Sequence, residues 1–586
     1  MPSINELQNE LRAILERKYD RKEWFKVLRK CFNVTTLHHK PVDITDRIKS
    51  NQYKATAKEL GNFTTPDGYL VGIYEVEVPE KALIHRNRKG LRDLLSQVYS
   101  TDVDAALLVF IQGSKWRFTY VSEITVRNPV TRKREKKITD PKRFTYLLGE
   151  GERAKTASER FAVIRDKESV AGTGVTLNTL EEAFSVEKMS KAFFHQYRRH
   201  YGVFTAYLTG EDENGKKVGK ASPYLESTFN GIAKEARDFV KKMMGRIVFL
   251  YFLEKKGWLG VPHDKKWGEG DEHFLSNLFK HCRNKSRFYS QVLVPLFFKT
   301  LNVERKEDIF IIDEKLFTEP GYGKLRIPYL NGGLFEEDEE KKQQLDFPEE
   351  YFEKLFTFFD QYNFTVYEDS PDEHTVAVDP EMLGHIFENL LEDNKQNGTF
   401  YTPKEVVHYM CCQSLIKYLY GRLNPDEKKE YVERDKIERF VLNHETAGII
   451  QYDEQILQAL KEVKICDPAI GSGAFPMGLL MEIFHLVEIL YEDSQDVTIR
   501  VLKLKDKPWE ENRAAVKLNI IQNCIYGVDL ERGAVDIARL RFGLSLVVDE
   551  EKPTPLPNLD YKIVVGDSLL SRFEGEVINI DWDIKT

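Results

Sequence analysis

The stretch KICDPAIGSGAF at residues 464–475 constrains the fold of this chain more than any other segment. Its apolar lead-in predicts a short buried strand, DPAIGSG predicts a tight turn, and the apolar run from Ala474 predicts a helix. Gly471 and Gly473 let the backbone approach a ligand where a Cβ would collide. Strand, glycine-rich turn and helix N-terminus together form the ligand crevice of a Rossmann-like sheet. A glycine-rich turn alone is more often a structural loop. Whether this turn binds a ligand therefore has to be argued from the segments that follow it.

Two later segments predict strands that end in an acid. The residues NCIYGVDLERGAVDIARLRFGLSL (523–546) predict a strand ending in Asp529 and then a helix, and YKIVVGDSL (561–569) predicts a strand ending in Asp567. Asp529 is placed to accept two ribose hydroxyls together, and Asp567 to accept from an exocyclic amine. With the glycine turn and the polar turn NGTFYTP before a helix, these strand ends predict one nucleoside pocket.

The texture of the chain predicts an α/β multidomain protein with three regions. Residues 1–150 hold a helical start and then β-rich runs, and residues 151–375 are mainly helical, with aromatic side chains at the spacing of a helix core. From 376 to 586 helices and strands alternate, which is typical of a doubly wound α/β domain. A chain of 586 residues has room for these domains.

The composition says more about the compartment in which the protein works than about its function. The six cysteines form no C-x-x-C pair, which favours a reducing cytoplasm and argues against structural zinc. No uninterrupted apolar stretch approaches the length of a membrane span, and the N-terminus predicts a polar amphipathic helix, not a signal peptide. The net charge of −8 does not mark a nucleic-acid binder, although a large DNA enzyme can hold a basic groove within an acidic average.

Four motifs, in this order, carry a resemblance to a known family: GTFYTP, DPAIGSGAF, YGVDLERGAVDIARLR and VVGDSL. They resemble those of DNA methyltransferases that act on adenine N6. Upstream, YLNGGLFE, YNFTVYEDSP and VDPEMLGHIFENLL resemble type IIG restriction-modification enzymes, in which nuclease, methyltransferase and target recognition share one polypeptide. The resemblance covers residues 230–586 strongly and the N-terminus more loosely. It implies S-adenosylmethionine as cofactor, double-stranded DNA as partner, and a cytoplasmic enzyme.

The resemblance also implies which residues bind the cofactor. They are Tyr401, Thr402 and Pro403 at the methionine end, Asp467, Pro468, Gly471 and Gly473 around the amino-acid part, Phe475 beside the cofactor, Asp529 at the ribose, and Asp567 at the adenine N6. The long separation of Asp467 from Asp529, with YEDSQDVTIRVLKLKDKPWEENRAAVK between them, predicts an inserted helix pair, which the family tolerates.

One motif of the family is missing. Methylation of adenine N6 needs an Asn-Pro-Pro-Tyr loop or a near variant, which accepts from the target amine and stacks on the flipped base. The sequence contains Asn128-Pro129 and Asn424-Pro425, and neither follows the strand that ends in Asp567. We therefore expect a methyltransferase domain that is incomplete at its C-terminal side. A second polypeptide or a further C-terminal part would supply this loop and target recognition, and residues 1–586 alone would not methylate DNA.

The segment TPDGYLVGIYEVEVPEK (65–81) predicts a nuclease of the PD-(D/E)xK kind. Such enzymes place an acid and an E-x-K pair around Mg²⁺, which prefers oxygen ligands. We predict that Asp67, Glu75 and Glu77 share one Mg²⁺. Glu77 stands where lysine is usual, so Lys81 would assist the attacking water. The alternative is that both glutamates lie on the solvent face of an amphipathic strand.

Two other functions remain open from the sequence. The first is the methyltransferase component of a phage-exclusion system, which marks host DNA and does not cut. Divalent-metal-dependent cleavage that depends on the predicted acids would separate it from a restriction-modification enzyme. The second is a non-catalytic scaffold that senses S-adenosylmethionine and assembles a partner. Such a scaffold would bind the cofactor and would gain no methylation when the missing loop is supplied.

Overall fold

A computed structural model gives the structure of most of the chain. It describes residues 3–48, 54–79, 94, 96–99, 102–122, 125–127, 134–136, 141–171, 174–212, 215–330, 335–368, 373–389, 402–426, 429–570, 572–573 and 576–577. Within these ranges the protein is a mixed α/β molecule, as its sequence predicts.

The front of the chain forms a large mixed sheet. Its strands and the hairpin beside it are β1 (Leu37–Asp43), β2 (Thr56–Thr64), β3 (Leu70–Val78), β4 (Ala105–Gln112), β5 (Lys115–Ser122), β6 (Thr125–Arg127), β7 (Arg134–Lys136), β8 (Lys142–Gly149) and β9 (Glu373–Thr375). Seven of them pair in the order β1-β2-β3-β4-β5-β8-β9, and β6 pairs with β7. β3 is parallel to β4 and β8 is parallel to β9, whereas the other neighbours are antiparallel.

Helices α1 (Ile4–Leu15) and α2 (Arg21–Cys31) cover one face of this sheet. Ser3 caps α1 in a capping box, and the Asp20 side chain caps α2 by accepting from two backbone N–H groups. Side chains alternate along β3, so Ile73 packs in the cluster beneath α1 and α2, whereas its neighbour Tyr74 packs in the cluster on the opposite face. Residues two and four places after Ile73 therefore face the α1–α2 side.

A mainly helical region follows the sheet, as predicted. Its helices are Lys155–Ala171, Leu177–Phe184, Val186–Thr209, Tyr224–Phe229, Ala233–Lys255, Phe274–His281, Glu340–Gln343 and Glu349–Phe359, with π-helical turns at Tyr289–Leu293 and Pro295–Leu301. Its aromatic side chains, such as Phe249 and Phe252, are buried, which confirms their predicted place in the core. These helices and the front sheet share one hydrophobic cluster.

The last part of the described chain alternates helices and strands. Its helices are Pro380–Asn389, Lys404–Leu423, Arg434–Asn443, Asp453–Glu462, Ala474–Asp493, Gln495–Leu502, Trp509–Cys524 and Arg532–Val547, and its strands are β10 (Ile465–Asp467), β11 (Ile525–Asp529), β12 (Ile563–Val565), β13 (Arg572–Phe573) and β14 (Glu576–Val577). β10, β11 and β12 are parallel neighbours in that order. The helices Gln495–Leu502 and Trp509–Cys524 confirm the predicted insertion.

The position of β10 differs from the sequence prediction. The strand β10 was expected to be buried, but it lies at an edge of the parallel sheet and its Cys466 is exposed.

The helix Ala474–Asp493 is long and apolar enough to cross a membrane by length and composition, and 61% of its most apolar window is buried inside the protein. Burial of that extent is what a core helix shows, so the helix is weak evidence for a membrane span.

Candidate functional site

The glycine turn is built against the middle strand of the parallel sheet. The Ile470 N–H donates to the Val528 carbonyl at 2.9 Å, and the Gly473 N–H donates to the Ile470 carbonyl at 2.9 Å. Gly471 and Gly473 have φ angles of 54° and 87°, in the left-handed region that favours glycine. The turn therefore needs glycine at both predicted positions for its backbone shape.

Asp529 is held by the backbone of two turns. One carboxylate oxygen accepts from the Gly471 N–H at 2.8 Å, and the other accepts from the Glu531 N–H at 2.9 Å. An ionised carboxylate oxygen has two lone pairs, so each oxygen can accept a further hydrogen bond beyond the one counted here. The contact with Gly471 brings two of the predicted binding residues together across the sheet.

The ends of the three parallel strands meet at one edge. The Gly566 N–H donates to the Asp529 carbonyl at 2.9 Å, and the Ser568 hydroxyl donates to the Pro468 carbonyl at 2.7 Å. Asp567, between them, is exposed, and its side chain accepts from the Leu569 N–H at 2.9 Å. We call this group of turns, after β10, β11 and β12, the strand-end crevice.

Asp467 lies at the start of the glycine turn. Its side chain accepts from the Ala469 N–H at 3.1 Å. Burial raises the pKa of the Asp467 carboxyl above its ordinary value, and the nearby charge of Asp529 raises it further. The two strand-end acids thus lie close enough to repel each other, which places both in the strand-end crevice.

The helix Lys404–Leu423 packs against the helix that follows the glycine turn. Pro403 is its N-cap, so the helix follows directly on the polar turn that the sequence predicts before a helix. The Cys411 thiol donates to the Phe475 carbonyl at 3.6 Å, which joins this helix to the first turn of the helix Ala474–Asp493. Thr402 precedes the cap and is half-buried. The predicted residue Tyr401 lies outside the described residues.

A buried arginine supports the glycine turn from below. Arg541, on the helix Arg532–Val547, donates from Nε and Nη2 to the two carboxylate oxygens of Glu368 at 2.9 and 3.0 Å. Its Nη1 donates to the Ser472 carbonyl at 3.0 Å. A Cβ added to Gly384 would lie 2.6 Å from the Ser472 hydroxyl, so glycine is needed there for close packing. Of the two upstream segments with family resemblance, the one that contains Gly384 packs against the turn, and the one that contains Glu368 reaches it through Arg541.

The second candidate site lies on the α1–α2 side of the front sheet. Glu75 is 2% exposed, and both its oxygens are occupied. Arg21 donates from Nε to one oxygen at 2.8 Å and from Nη2 to the other at 2.5 Å, and the Tyr19 hydroxyl donates at 2.8 Å. Burial and the charge of Glu75 raise the pKa of Tyr19, and the hydrogen bond to Glu75 raises the pKa of Arg21. The protein's own side chains thus neutralise Glu75.

A cleft of about 440 Å³ opens beside this ion pair. Its lining includes three acids, Asp20, Glu75 and Glu77, and two basic residues, Lys18 and Arg21. We call it the front cleft. Glu75 and Glu77 both line this cleft, as residues two apart on one face of a strand can.

Asp67 does not belong to the front cleft, which corrects the predicted three-acid site. It lies in the turn between β2 and β3, where Thr64 pairs with Leu70. From Leu70 the uninterrupted strand runs five residues to Glu75, about 16 Å at the usual rise of a strand. Asp67 lies beyond Leu70 in the turn, so its backbone is at least roughly this far from that of Glu75, and the two side chains are too short to meet at one ion. Lys81, the predicted helper of the attacking water, lies outside the described residues.

Several residues of these sites were not predicted from the sequence. Arg541 and Glu368 lie within the segments YGVDLERGAVDIARLR and YNFTVYEDSP, and an arginine inside the apolar run of a helix was a signal of a buried ion pair. Tyr19, Asp20 and Arg21 join α1 to α2, and no pattern in the sequence connected them to β3.

Comparison with known proteins identifies one curated relative and no matching family model. The relative, from Methanocaldococcus jannaschii, is named provisionally as a type II restriction enzyme and methyltransferase, RM.MjaORFECS2P. It is 30% identical over 374 residues, which is 59% of this chain and 28% of the relative. The match thus spans less than a third of that protein's length. The predicted resemblance to restriction-modification enzymes is confirmed by this relative.

Two solved structures show a distant likeness. The type IIL restriction-modification enzyme MmeI in complex with DNA is 14% identical, with a TM-score of 0.35 over 57% of this chain and 38% of that chain. The DrdV–DNA complex is 12% identical, with a TM-score of 0.23 over 88% of this chain and 36% of that chain. Scores this low carry no argument about the sites of this chain.

Proposed function

We propose, from the resemblance to type II restriction-modification enzymes, that this chain is part of such an enzyme and binds S-adenosylmethionine for methylation of adenine N6 in double-stranded DNA. The observation that supports the proposal most is the backbone-held carboxylate of Asp529. It stands at the end of the middle parallel strand, beside a glycine turn, which is where nucleoside ligands bind in sheets of this kind.

The residues of the strand-end crevice fit this cofactor. Asp529 keeps acceptor capacity on both oxygens, which suits the two hydroxyls of a ribose. Gly471 and Gly473 leave backbone free of Cβ atoms at the turn, where the amino-acid part of the cofactor would lie with Asp467 and Pro468. The cofactor supplies the methyl group that is transferred.

The remaining predicted residues complete the proposed binding site. Asp567 is exposed and can accept from the adenine amine, while Phe475 packs beside the cofactor. Thr402 and Pro403, at the start of their helix, would line the methionine end with Tyr401. In this proposal the chain binds and orients the cofactor, and the Asn-Pro-Pro-Tyr loop and target recognition come from a second polypeptide or a further part of the protein.

Equilibrium dialysis with radiolabelled S-adenosylmethionine tests the proposal. We expect saturable binding at one site per chain, displaced by unlabelled S-adenosylhomocysteine and unaffected by NAD⁺. Absence of saturable binding would contradict the proposal. Displacement by NAD⁺ alone would instead assign the crevice to a dinucleotide, the other ligand that such a glycine turn can hold.

The front cleft supports a Mg²⁺-dependent nuclease as the second activity of the same enzyme. Asp20 and Glu77 are exposed carboxylates on the cleft, and Mg²⁺ binds through carboxylate oxygens. Glu75 fits an ion less well, because Arg21 and Tyr19 occupy its oxygens. Lys18 lines the cleft and offers the cation that Glu77 cannot supply.

The ion pair of Glu75 with Arg21 favours a second candidate function, a methyltransferase component of phage exclusion that does not cut. Incubation of unmethylated DNA with the protein and Mg²⁺ separates the two candidates. Cleavage that is lost in Glu77→Ala and kept in Glu59→Ala supports the nuclease. Glu59 is a fair control because it lies on the neighbouring strand β2 and pairs in register with Tyr74, whose side chain packs on the opposite face. Cleavage that persists in Glu77→Ala would remove the front cleft from the reaction.

A further inference from the structure

Three side chains with metal-binding atoms converge between two helices of the C-terminal part. They are His408 and Cys412, four residues apart on the helix Lys404–Leu423, and Glu482 on the helix Ala474–Asp493. One ligand atom from each lies within 4.8 Å of the other two. Residues four apart lie on the same side of a helix, which explains why both point to the neighbouring helix. Among the described residues this is the group that meets a metal-site geometry.

The separations are close to those of a tetrahedral zinc site. Zinc binds nitrogen and oxygen at about 2.0–2.2 Å and sulfur at about 2.3 Å, so its ligand atoms lie roughly 3.3–3.7 Å from one another. The Cys412 sulfur is 3.7 Å from His408 Nδ1. His408 Nδ1 is 2.7 Å from a Glu482 oxygen, a hydrogen-bond distance that an ion between them would lengthen. The third pair, Cys412 and Glu482, lies within 4.8 Å. Shifts on the order of 1 Å would therefore bring the three atoms to the separations of a zinc coordination sphere.

Close helix packing holds the cluster together. A Cβ added to Gly478 would lie 2.6 Å from Val407 Cγ1 and 3.0 Å from the Cys411 sulfur. Glycine therefore lets the two helices approach one turn before Glu482. Cys412 is 0% exposed and Glu482 is 8% exposed, whereas His408 is partly exposed and leaves a way in for an ion. The alternative is an ion pair between His408 and Glu482 without a metal. That ion pair does not explain why the Cys412 thiol lies beside them.

We propose that His408, Cys412 and Glu482 bind a divalent transition metal of the zinc class. A thiolate and an imidazole favour zinc over Mg²⁺ or Ca²⁺, which prefer oxygen ligands. The fourth position would be filled by water. The absence of a C-x-x-C pair does not exclude this site, because its ligands come from helical spacing on two helices.

The site would hold together two helices that each follow residues of the proposed cofactor site. One starts after Thr402 and Pro403, and the other starts at the glycine turn. The metal is structural in this inference, so it stands or fails independently of cofactor binding.

Metal analysis of the full chain tests the inference. Protein purified without chelator, dialysed against Zn²⁺ and then freed of excess ion, is expected to retain one zinc per chain. Cys412→Ser and His408→Ala should each weaken zinc binding by at least the roughly 10–100-fold that loss of an outer-shell partner costs. Cys524→Ser is the matched control, since Cys524 is a buried free thiol of the same region with backbone partners. It should leave the zinc content unchanged.

A second measurement covers variants that fail to fold. Apo-protein titrated with Co²⁺ should develop a thiolate-to-cobalt absorption band that saturates at one equivalent and disappears on adding Zn²⁺. Zinc should also raise the unfolding temperature of the wild-type chain, and EDTA should reverse the rise. No retained zinc and no cobalt band would overturn the inference and leave an ion pair beside a buried thiol. Equal loss of zinc in Cys524→Ser would overturn it as well.

Discussion

Glu75 in the front cleft and Asp529 in the strand-end crevice are both acids at the centre of a candidate site, and the protein holds them differently. Glu75 receives three hydrogen bonds from the side chains of Arg21 and Tyr19. Asp529 receives its bonds from the backbone N–H groups of Gly471 and Glu531. A backbone N–H orients a carboxylate and leaves its negative charge in place. A guanidinium group both orients the carboxylate and neutralises its charge.

The difference indicates how ready each site is for a ligand. Asp529 can accept ribose hydroxyls while it keeps its present hydrogen bonds. The free-energy cost of ordering this side chain on binding is therefore small. A metal ion at Glu75 would have to displace Arg21, which makes that acid a poorer ligand as it stands. The proposed cofactor site therefore needs less rearrangement of existing contacts than the proposed metal site.

The largest effect is expected from the buried ion pair beneath the crevice. Arg541→Ala removes both nitrogen donors from the largely buried Glu368 carboxylate and the donor to the Ser472 carbonyl. Breaking a buried pair in this way costs about 3–5 kcal/mol. Urea unfolding should show that loss, while Arg532→Ala, a 73% exposed arginine on the same helix, should change stability by less than about 1 kcal/mol. Equal effects of the two substitutions would show that the crevice does not depend on this support.

A smaller loss is expected in the front cleft. Arg21→Ala removes both nitrogen donors from buried Glu75, but Arg21 is 36% exposed and water can enter in its place. We expect a cost of about 2–3 kcal/mol, below the range for fully buried pairs. Arg12→Ala is the control, since Arg12 is 39% exposed and pairs with Glu16 on the helix surface, worth about 0.3–0.5 kcal/mol. If Arg21→Ala behaved like the control, the contrast between the two acids would be lost.

The glycine turn should respond to a single methyl group. Gly473→Ala places a Cβ in the left-handed region and 3.3 Å from the Ala538 Cβ, so it should destabilise by about 1–2 kcal/mol. Gly533→Ala has open space around its Cβ and lies in the helix Arg532–Val547. It should stabilise by about 0.4–1 kcal/mol. Thermal or urea unfolding that gave the same sign for both would contradict the backbone argument for the turn.

The smallest effect concerns the acid whose pKa is raised. Because burial raises the pKa of Asp467 above the unfolded value of 3.8, its contribution to stability is present below that pH and is lost as pH rises through the folded pKa. Asp467→Asn removes this titration. The variant should therefore gain stability relative to wild type at pH 7 and lose that gain at pH 3.5. A gain independent of pH would assign the effect to packing instead of charge.

The two sites also differ in how well the sequence predicts them. The ends of β10, β11 and β12 were predictable because each strand is followed at once by its acid or glycine turn. The sequence prediction for Asp67 was wrong because Asp67 lies in the turn before β3, and the extended strand from Leu70 to Glu75 separates the two acids although few residues lie between them. Arg541 is 173 residues from Glu368, and Arg21 is 54 residues from Glu75. Such ion pairs form through tertiary packing. The periodicity of the sequence does not indicate which distant residue will be the partner.

Calorimetric titration of S-adenosylmethionine into wild-type protein, Asp529→Ala and Asp506→Ala measures the role of the backbone-held acid directly. Asp506 is an exposed aspartate in the loop between two helices of the same region, so its loss controls for charge. We expect wild type and Asp506→Ala to bind with the same affinity. Asp529→Ala should lose two charge-assisted hydrogen bonds of roughly 1.5–3 kcal/mol each, which leaves no measurable heat. Unchanged affinity in Asp529→Ala would contradict the assignment of the strand-end crevice as the cofactor site.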